Sequence, residues 1–131
     1  MADLDAYLQG DNFSRHLGIE LVEAANGTAI ARLTVEEAHL NIHKTVHGAA
    51  LFALADVALE AASNSHGVVA VSINANISYM KAVSSGLLTA TATEVSLTNT
   101  LGIYDIKITG PEGELVAIFQ GMVYRKRQRI E

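Results

Sequence analysis

The chain has 131 residues, half of them hydrophobic and 18% charged, with a net charge of −5 and no cysteine. That length and composition suit one globular domain over 1–131 with a full-sized core, and no low-complexity or repetitive stretch divides it. The missing cysteines exclude disulfides and thiolate chemistry, and the acidic balance argues against nucleic-acid binding.

The opening MADLDAYLQGDNFSRHLG lacks a basic segment followed by an apolar one, so no secretory signal is read and a cytoplasmic setting is expected. Asp3 to about Arg15 predicts one short helix, capped by Asp3, with Leu4, Tyr7 and Leu8 on one face. A strand follows over roughly Leu17–Ala25. Asn26-Gly27 then signals a tight hairpin turn, because both central residues of a type I′ turn need positive φ. The return strand Thr28–Val35 alternates Ala29, Ala31, Leu33 and Val35 against Thr28, Arg32 and Thr34, the period-two pattern of a strand with one buried face. Glu36 to Val46 is polar and irregular.

From His47-Gly48 to a stop at His66-Gly67 the chain reads as about four turns of helix, apolar around its whole circumference. Such a helix is buried in protein or in membrane. Asp56 and Glu60 interrupt the run, which falls short of the ~20 residues a bilayer needs. A buried central helix is therefore expected, and its seven alanines between Ala49 and Ala62 let other backbone come close. After Gly67 everything reads as strand: Val68–Lys81, then Leu87–Leu97 behind a Ser84-Ser85-Gly86 turn, then Ile103–Thr109 and Leu115–Tyr124 about Gly110-Pro111-Glu112-Gly113. Two strands, one long helix and four more strands are satisfied by an antiparallel sheet wrapped around the helix.

Asp56 is the residue to explain, because burying an unpaired carboxylate costs about several kcal/mol. It is either paired to a core donor or a general base or nucleophile. Glu60, one turn on, is a rim residue or the second member of a carboxylate pair. His47 and Gly48 begin the helix, where first-turn N–H groups lack partners and the dipole favours negative charge, so an oxyanion can be held there. Gly48 and Asp56 are eight residues apart, about 12 Å along a helix. His47 and Asp56, nine apart, fall on opposite faces. One chain cannot gather both ends into one site: either they are unrelated, or a second chain supplies one half.

Other candidates are weaker. His39, His43 and His47 recur every four residues, as metal ligands on one helix face would, but a loop followed by a new helix start breaks that alignment, and no metal is expected. His66 reads as an exposed helix-end residue. Ser72, Asn74, Asn76 and Ser78 alternate along one strand face, which is solvated or meets the helix near Asp56. Arg125, Lys126, Arg127 and Arg129 form a solvated tail or a contact for a phosphate-bearing ligand.

Asn41-x5-His47-Gly48-Ala49, Leu54-Ala55-Asp56, Ser63-Asn64-x-x-Gly67, the strand Val71–Lys81 and Gly121-x-x-Tyr124-Arg125 together resemble the phenylacetate-degradation (PaaI-type) branch of the hotdog-fold acyl-CoA thioesterases. The likeness runs from about Gly18 through nearly the whole domain. Two positions depart from the family pattern. Ala49 stands where the family usually has a second glycine, which narrows the space beside the thioester, and Ala82-Val83 replaces a common proline at a strand end.

The resemblance implies an α+β hotdog fold: a six-stranded antiparallel sheet wrapped around a long central helix, with a short N-terminal helix. It also implies a homodimer, often doubled to a homotetramer, with sites at the dimer interface. Asp56 is then the nucleophile or general base, two roles the resemblance permits alike. The Gly48 N–H polarises the thioester carbonyl, Asn41 and His47 position the carbonyl or attacking water, and Ser72 orients water beside the carboxylate. The implied reaction is hydrolysis of an acyl- or aryl-acyl-CoA to acid and CoA, with no metal, cofactor, nucleic acid or membrane partner. Lys81, Arg125, Lys126 and Arg127 are candidates for the CoA phosphates. The rival readings are a non-catalytic acyl-CoA-binding module, for which a buried carboxylate gains nothing, and a hotdog hydratase or dehydratase.

Overall fold

The computed structural model describes residues 4–130. The opening segment folds as two short helices, α1 (Leu4–Leu8) and α2 (Asn12–Leu17), rather than one. Asp11 separates them: its carboxylate accepts from the Ser14 N–H at 3.1 Å and from the Ser14 hydroxyl, capping α2 and turning Gly10-Asp11 into a corner. The cap expected at Asp3 lies outside the described residues.

Strands β1 (Glu20–Ala25) and β2 (Thr28–Thr34) form the expected hairpin, with φ of 53° at Asn26 and 81° at Gly27. The long helix α3 (Gly48–Asn64) follows, then β3 (Val68–Tyr79), β4 (Leu87–Leu97), β5 (Leu101–Thr109) and β6 (Leu115–Arg129). β6 runs well beyond Tyr124. The basic cluster is therefore strand and not tail, Arg125 pairing with Ala70 and Arg129 with Val68.

The six strands make one antiparallel sheet in the order β1-β2-β4-β5-β6-β3, and α3 lies across one face, touching every strand. This is the hotdog arrangement. Small residues bring the layers together: Ala29 and Ala31 on β2, Ala90 and Ala92 on β4, and Ala55, Ala58, Ala61 and Ala62 on α3 are all buried. Leu33, Leu54, Ile106 and Phe119 fill the space left, and truncating a buried leucine such as Leu54 to alanine costs ~2–5 kcal/mol. At Gly121 a Cβ would lie 2.5 Å from Leu59 Cδ2, so glycine there lets β6 pass under the helix within a turn of Asp56. Among the described residues no helix is long and apolar enough to cross a membrane.

Two surfaces differ from expectation. α3 is not enclosed: Ala49 and Phe52 are exposed, and Ala53, Asp56, Val57 and Glu60 are half-buried, so one stripe of the helix stays open in the single chain. β3 is an edge strand exposed on both faces from Val71 to Asn76, so its polar alternation does not mark one solvent side. The large side chains of Val71, Ile73, Tyr79 and Met80 are exposed there.

Candidate active site

The segment before α3 is a closed turn. Leu40 and Val46 form a β-bridge, the Asn41 N–H donates to the Thr45 carbonyl at 2.8 Å, and the His47 N–H donates to the His39 carbonyl at 2.8 Å. The Asn41 Oδ1 accepts from the His43 N–H (2.8 Å), the Thr45 N–H (3.2 Å) and the Thr45 hydroxyl (3.3 Å). Its first task is thus to shape this turn, and only its Nδ2 end is left to reach a ligand.

His47 is the N-cap of α3. Its Nδ1 accepts from the Ala49 N–H at 2.9 Å, which places the proton of the neutral ring on Nε2. The Gly48 N–H, the first donor of the helix, has no acceptor among the described residues. Tyr79, at the end of β3, closes over this glycine: its hydroxyl donates to the Gly48 carbonyl at 3.1 Å. A Cβ at residue 48 would sit 3.0 Å from both Cζ and Oη of that ring. The pairing of Gly48 with Tyr79 was not legible in the motifs, since nothing in the spacing of 31 residues announces it.

Two turns further along, Asp56 opens into a cleft of about 500 Å³ with Glu60, Ser63, Ser72, Val123 and, from the N-terminal segment, Tyr7 and Asp11. Asp56 and Ser72 therefore share one space, while Gly48 and its tyrosine lie towards the other end of β3. Among the described residues the Asp56 carboxylate has no hydrogen-bond or ion-pair partner. Burial, and then the Asp11 carboxylate, push the Asp56 carboxyl above its ordinary range. Burial, Asp11 and Asp56, in that order, push Glu60 up to about 7. Glu60 is neither a solvated rim residue nor bonded to Asp56; it is a second half-buried acid in the same cleft. Asp11 also lines the groove of Phe13, Ala49, Phe52 and Ala53 on the other side of Asp56. Asp11 falls inside the single helix that the sequence predicts from Asp3 to about Arg15; the Asp-x-x-Ser pattern of a helix cap is the signal that marks it.

Asn64 is a further residue whose work the motif did not reveal. Wholly buried, it donates to the carbonyls of Glu60 (2.8 Å) and Ala70 (3.2 Å) and accepts from the Ala70 N–H (3.0 Å). It bolts the end of α3 to the start of β3, two residues before Ser72.

The histidine series does not converge. His39 is buried, with Nδ1 accepting from the Glu36 N–H and Nε2 bonded to the Leu17 carbonyl, while His43 is exposed. Among the described residues no three His, Asp or Glu side chains are placed to hold a metal ion. His66 is half-buried and not free: its Nε2 lies 2.6 Å from Glu94 Oε2, which also accepts from the buried Tyr104 hydroxyl at 2.7 Å. Lys81 and the Arg125–Arg127 group sit at opposite ends of the β3–β6 ladder, since Tyr79 pairs with Ala117 and Ala70 with Arg125. Arg125 donates to the Thr98 carbonyl, whereas Lys126 and Arg127 are exposed.

Comparison with known proteins adds to this geometry. The family model described as the thioesterase superfamily matches residues 43–117. A putative esterase of Archaeoglobus fulgidus is 37% identical over 92% of this chain and 79% of its own length. The acyl-coenzyme A thioesterase PaaI of Escherichia coli is 36% identical over 92% of this chain and 86% of its own. The solved structure of the E. coli PaaI protein from the phenylacetic acid degradation operon superposes with a TM-score of 0.92, at 34% identity, covering 97% of this chain and 93% of that one.

Proposed function

The chain belongs to the thioesterase superfamily, and from that membership we propose that it hydrolyses acyl- or aryl-acyl-coenzyme A thioesters to the free acid and coenzyme A. The observation that carries this reading is one helix bearing an uncommitted N–H at Gly48 and a partnerless, half-buried carboxylate at Asp56. In the proposed reaction the thioester carbonyl accepts from the Gly48 N–H. Asp56 takes a proton from water as the water oxygen adds to the carbonyl carbon, and the oxyanion formed is held at Gly48. The C–S bond then breaks and the departing thiolate takes the proton back from Asp56. Ser72 orients the water, and Asn41, through Nδ2, and His47, through Nε2, position the carbonyl. A cytoplasmic setting goes with that substrate.

The two ends of α3 act together only across a dimer. In this reading two copies pair their β3 edges antiparallel, covering Val71, Ile73 and Met80. Ser72 and Tyr79 lie about 23 Å apart along β3. With a two-fold axis near Ala75 and Asn76, Ser72 of one protomer stands opposite Tyr79 of its partner, so an Asp56 end meets a Gly48 end twice. The same register carries Lys81 of one protomer towards Ala70 of the other, beside Arg125, and brings both basic groups to one CoA. Exposed Leu101, Ile118 and Tyr124 on the outer sheet face favour further doubling to a tetramer.

The test is a panel of short, medium, long and aromatic acyl-CoAs assayed for thiol release. Turnover of at least one supports the reading; binding without release throughout contradicts it and marks a binding module.

A further inference from the structure

Gly48 is asked to hold its N–H in one direction, yet glycine has the freest backbone of any residue and sits where a helix has lost its i−4 bonds. Two groups restrain it. His47 Nδ1 caps the next N–H, that of Ala49, from within the same turn. Tyr79 reaches over from β3, bonding the Gly48 carbonyl at 3.1 Å and laying its ring where a Cβ at 48 would be 3.0 Å away. The placement of Tyr79 thus depends on glycine at 48: a larger residue there would displace the phenol. Within the single chain the tyrosine is 53% exposed, and its one hydrogen bond there adds little to the stability of the monomer fold.

We propose that Tyr79 is a positioning residue, whose hydroxyl and ring fix the Gly48 peptide so that its N–H points at the reacting carbonyl. This rests on the thioesterase reading for its catalytic consequence, though not for the clamp itself. Tyr79 acts through Gly48 and donates nothing to the substrate.

Tyr79→Phe keeps the ring and removes the hydrogen bond. At a temperature well below melting, kcat for the best acyl-CoA should fall about five- to thirty-fold with KM held within about twofold, the signature of a contact that matters in the transition state. Gly48→Ala displaces the phenol itself, so adding Tyr79→Phe to it should cost clearly less than adding it to wild type. Unchanged kcat, a loss carried by KM, or additive losses in the double variant would each overturn the proposal. A second readout needs no activity: the ¹⁵N order parameter of Gly48 should drop in Tyr79→Phe while the middle of α3 keeps its values. No drop would overturn the clamp. A wild-type protein that releases thiol from no acyl-CoA would contradict the thioesterase reading, and the Gly48 order parameter would still decide the role of Tyr79.

Discussion

Gly48 and Asp56 stand eight residues apart on α3, about 12 Å along its axis, with Gly48 under Tyr79 and Asp56 beside the cleft that Ser72 lines. The distance is fixed by helix geometry and no side-chain rearrangement closes it. In the proposed reaction each end supplies half of the site: among the described residues, a donor without an acceptor and a carboxylate without a donor.

Asp56→Asn is nearly isosteric, and it removes a carboxylate that makes no hydrogen bond or ion pair among the described residues. Folding and KM should be close to wild type, while kcat falls roughly 10²- to 10⁴-fold, the range for loss of an acid/base group. Thiol-release kinetics decide it: a variant keeping more than about a third of wild-type turnover would remove Asp56 from the chemistry.

Glu60 should make the protein pH-sensitive on the neutral side. Its carboxyl rises from 4.5 to about 7 in the folded chain, so the native state holds a proton that the unfolded state gives up. The stability this confers is full below pH 4.5 and lost as pH climbs through about 7. Glu60→Gln should therefore melt near the wild-type temperature at low pH and above it at about pH 8. Asp56 is raised by burial and by Asp11, and Glu60 is still protonated where Asp56 titrates, so the acid limb of kcat/KM should stay where it is. Melting curves and pH–rate profiles of the two proteins give both comparisons.

At the other end of α3, Glu94 is held between His66 and the wholly buried Tyr104. Burial alone would raise the Glu94 carboxyl, but the hydrogen bonds from His66 and Tyr104 outweigh it and hold it below its ordinary 4.5. The stability gained is present above pH 4.5 and lost as pH falls below it. Tyr104→Phe should cost ~1–3 kcal/mol in denaturant unfolding at neutral pH, and less in acid, where Glu94 is neutral in either case.

The plan of two strands, a helix and four strands was legible because each element carries a strong local signal: Asn26-Gly27 for the hairpin, alternation in β2, and Gly67 and Gly86 for the breaks. What local pattern cannot express is contact between distant residues. The apolar circumference of α3 implied full burial, yet no pattern says whether the cover comes from the same chain, and here one stripe is left open. Asp56, Gly48 and Ser72 could be picked out by type and position. The contacts of Tyr79 and Asn64 could not, because they arise only when β3 folds back on α3, and Asp11 shows locally only its helix-cap pattern. The basic C-terminal run misled for a related reason. Charge suggested a tail, whereas ladder pairing with β3 extends the strand to Arg129.

The cross-chain site is the central claim, and complementation between two inactive variants tests it most directly. Gly48→Pro deletes the oxyanion donor, and the backbone tolerates it: residue 48 opens the helix, and His47, at φ −61° and ψ 137°, already has the conformation preferred before proline. A Cβ at this position meets the end of the Tyr79 side chain, which must move aside. Gly48→Pro and Asp56→Asn homodimers should each be nearly inactive. In a mixed dimer one site collects both defects, and the other has an intact Gly48 from one chain and an intact Asp56 from its partner. Co-expression under two tags and purification of the doubly tagged dimer should restore up to about half of wild-type thiol release, for two independent sites. Doubly tagged dimers that assemble, stay folded and remain inactive would show that each site draws both groups from a single chain, contradicting the account.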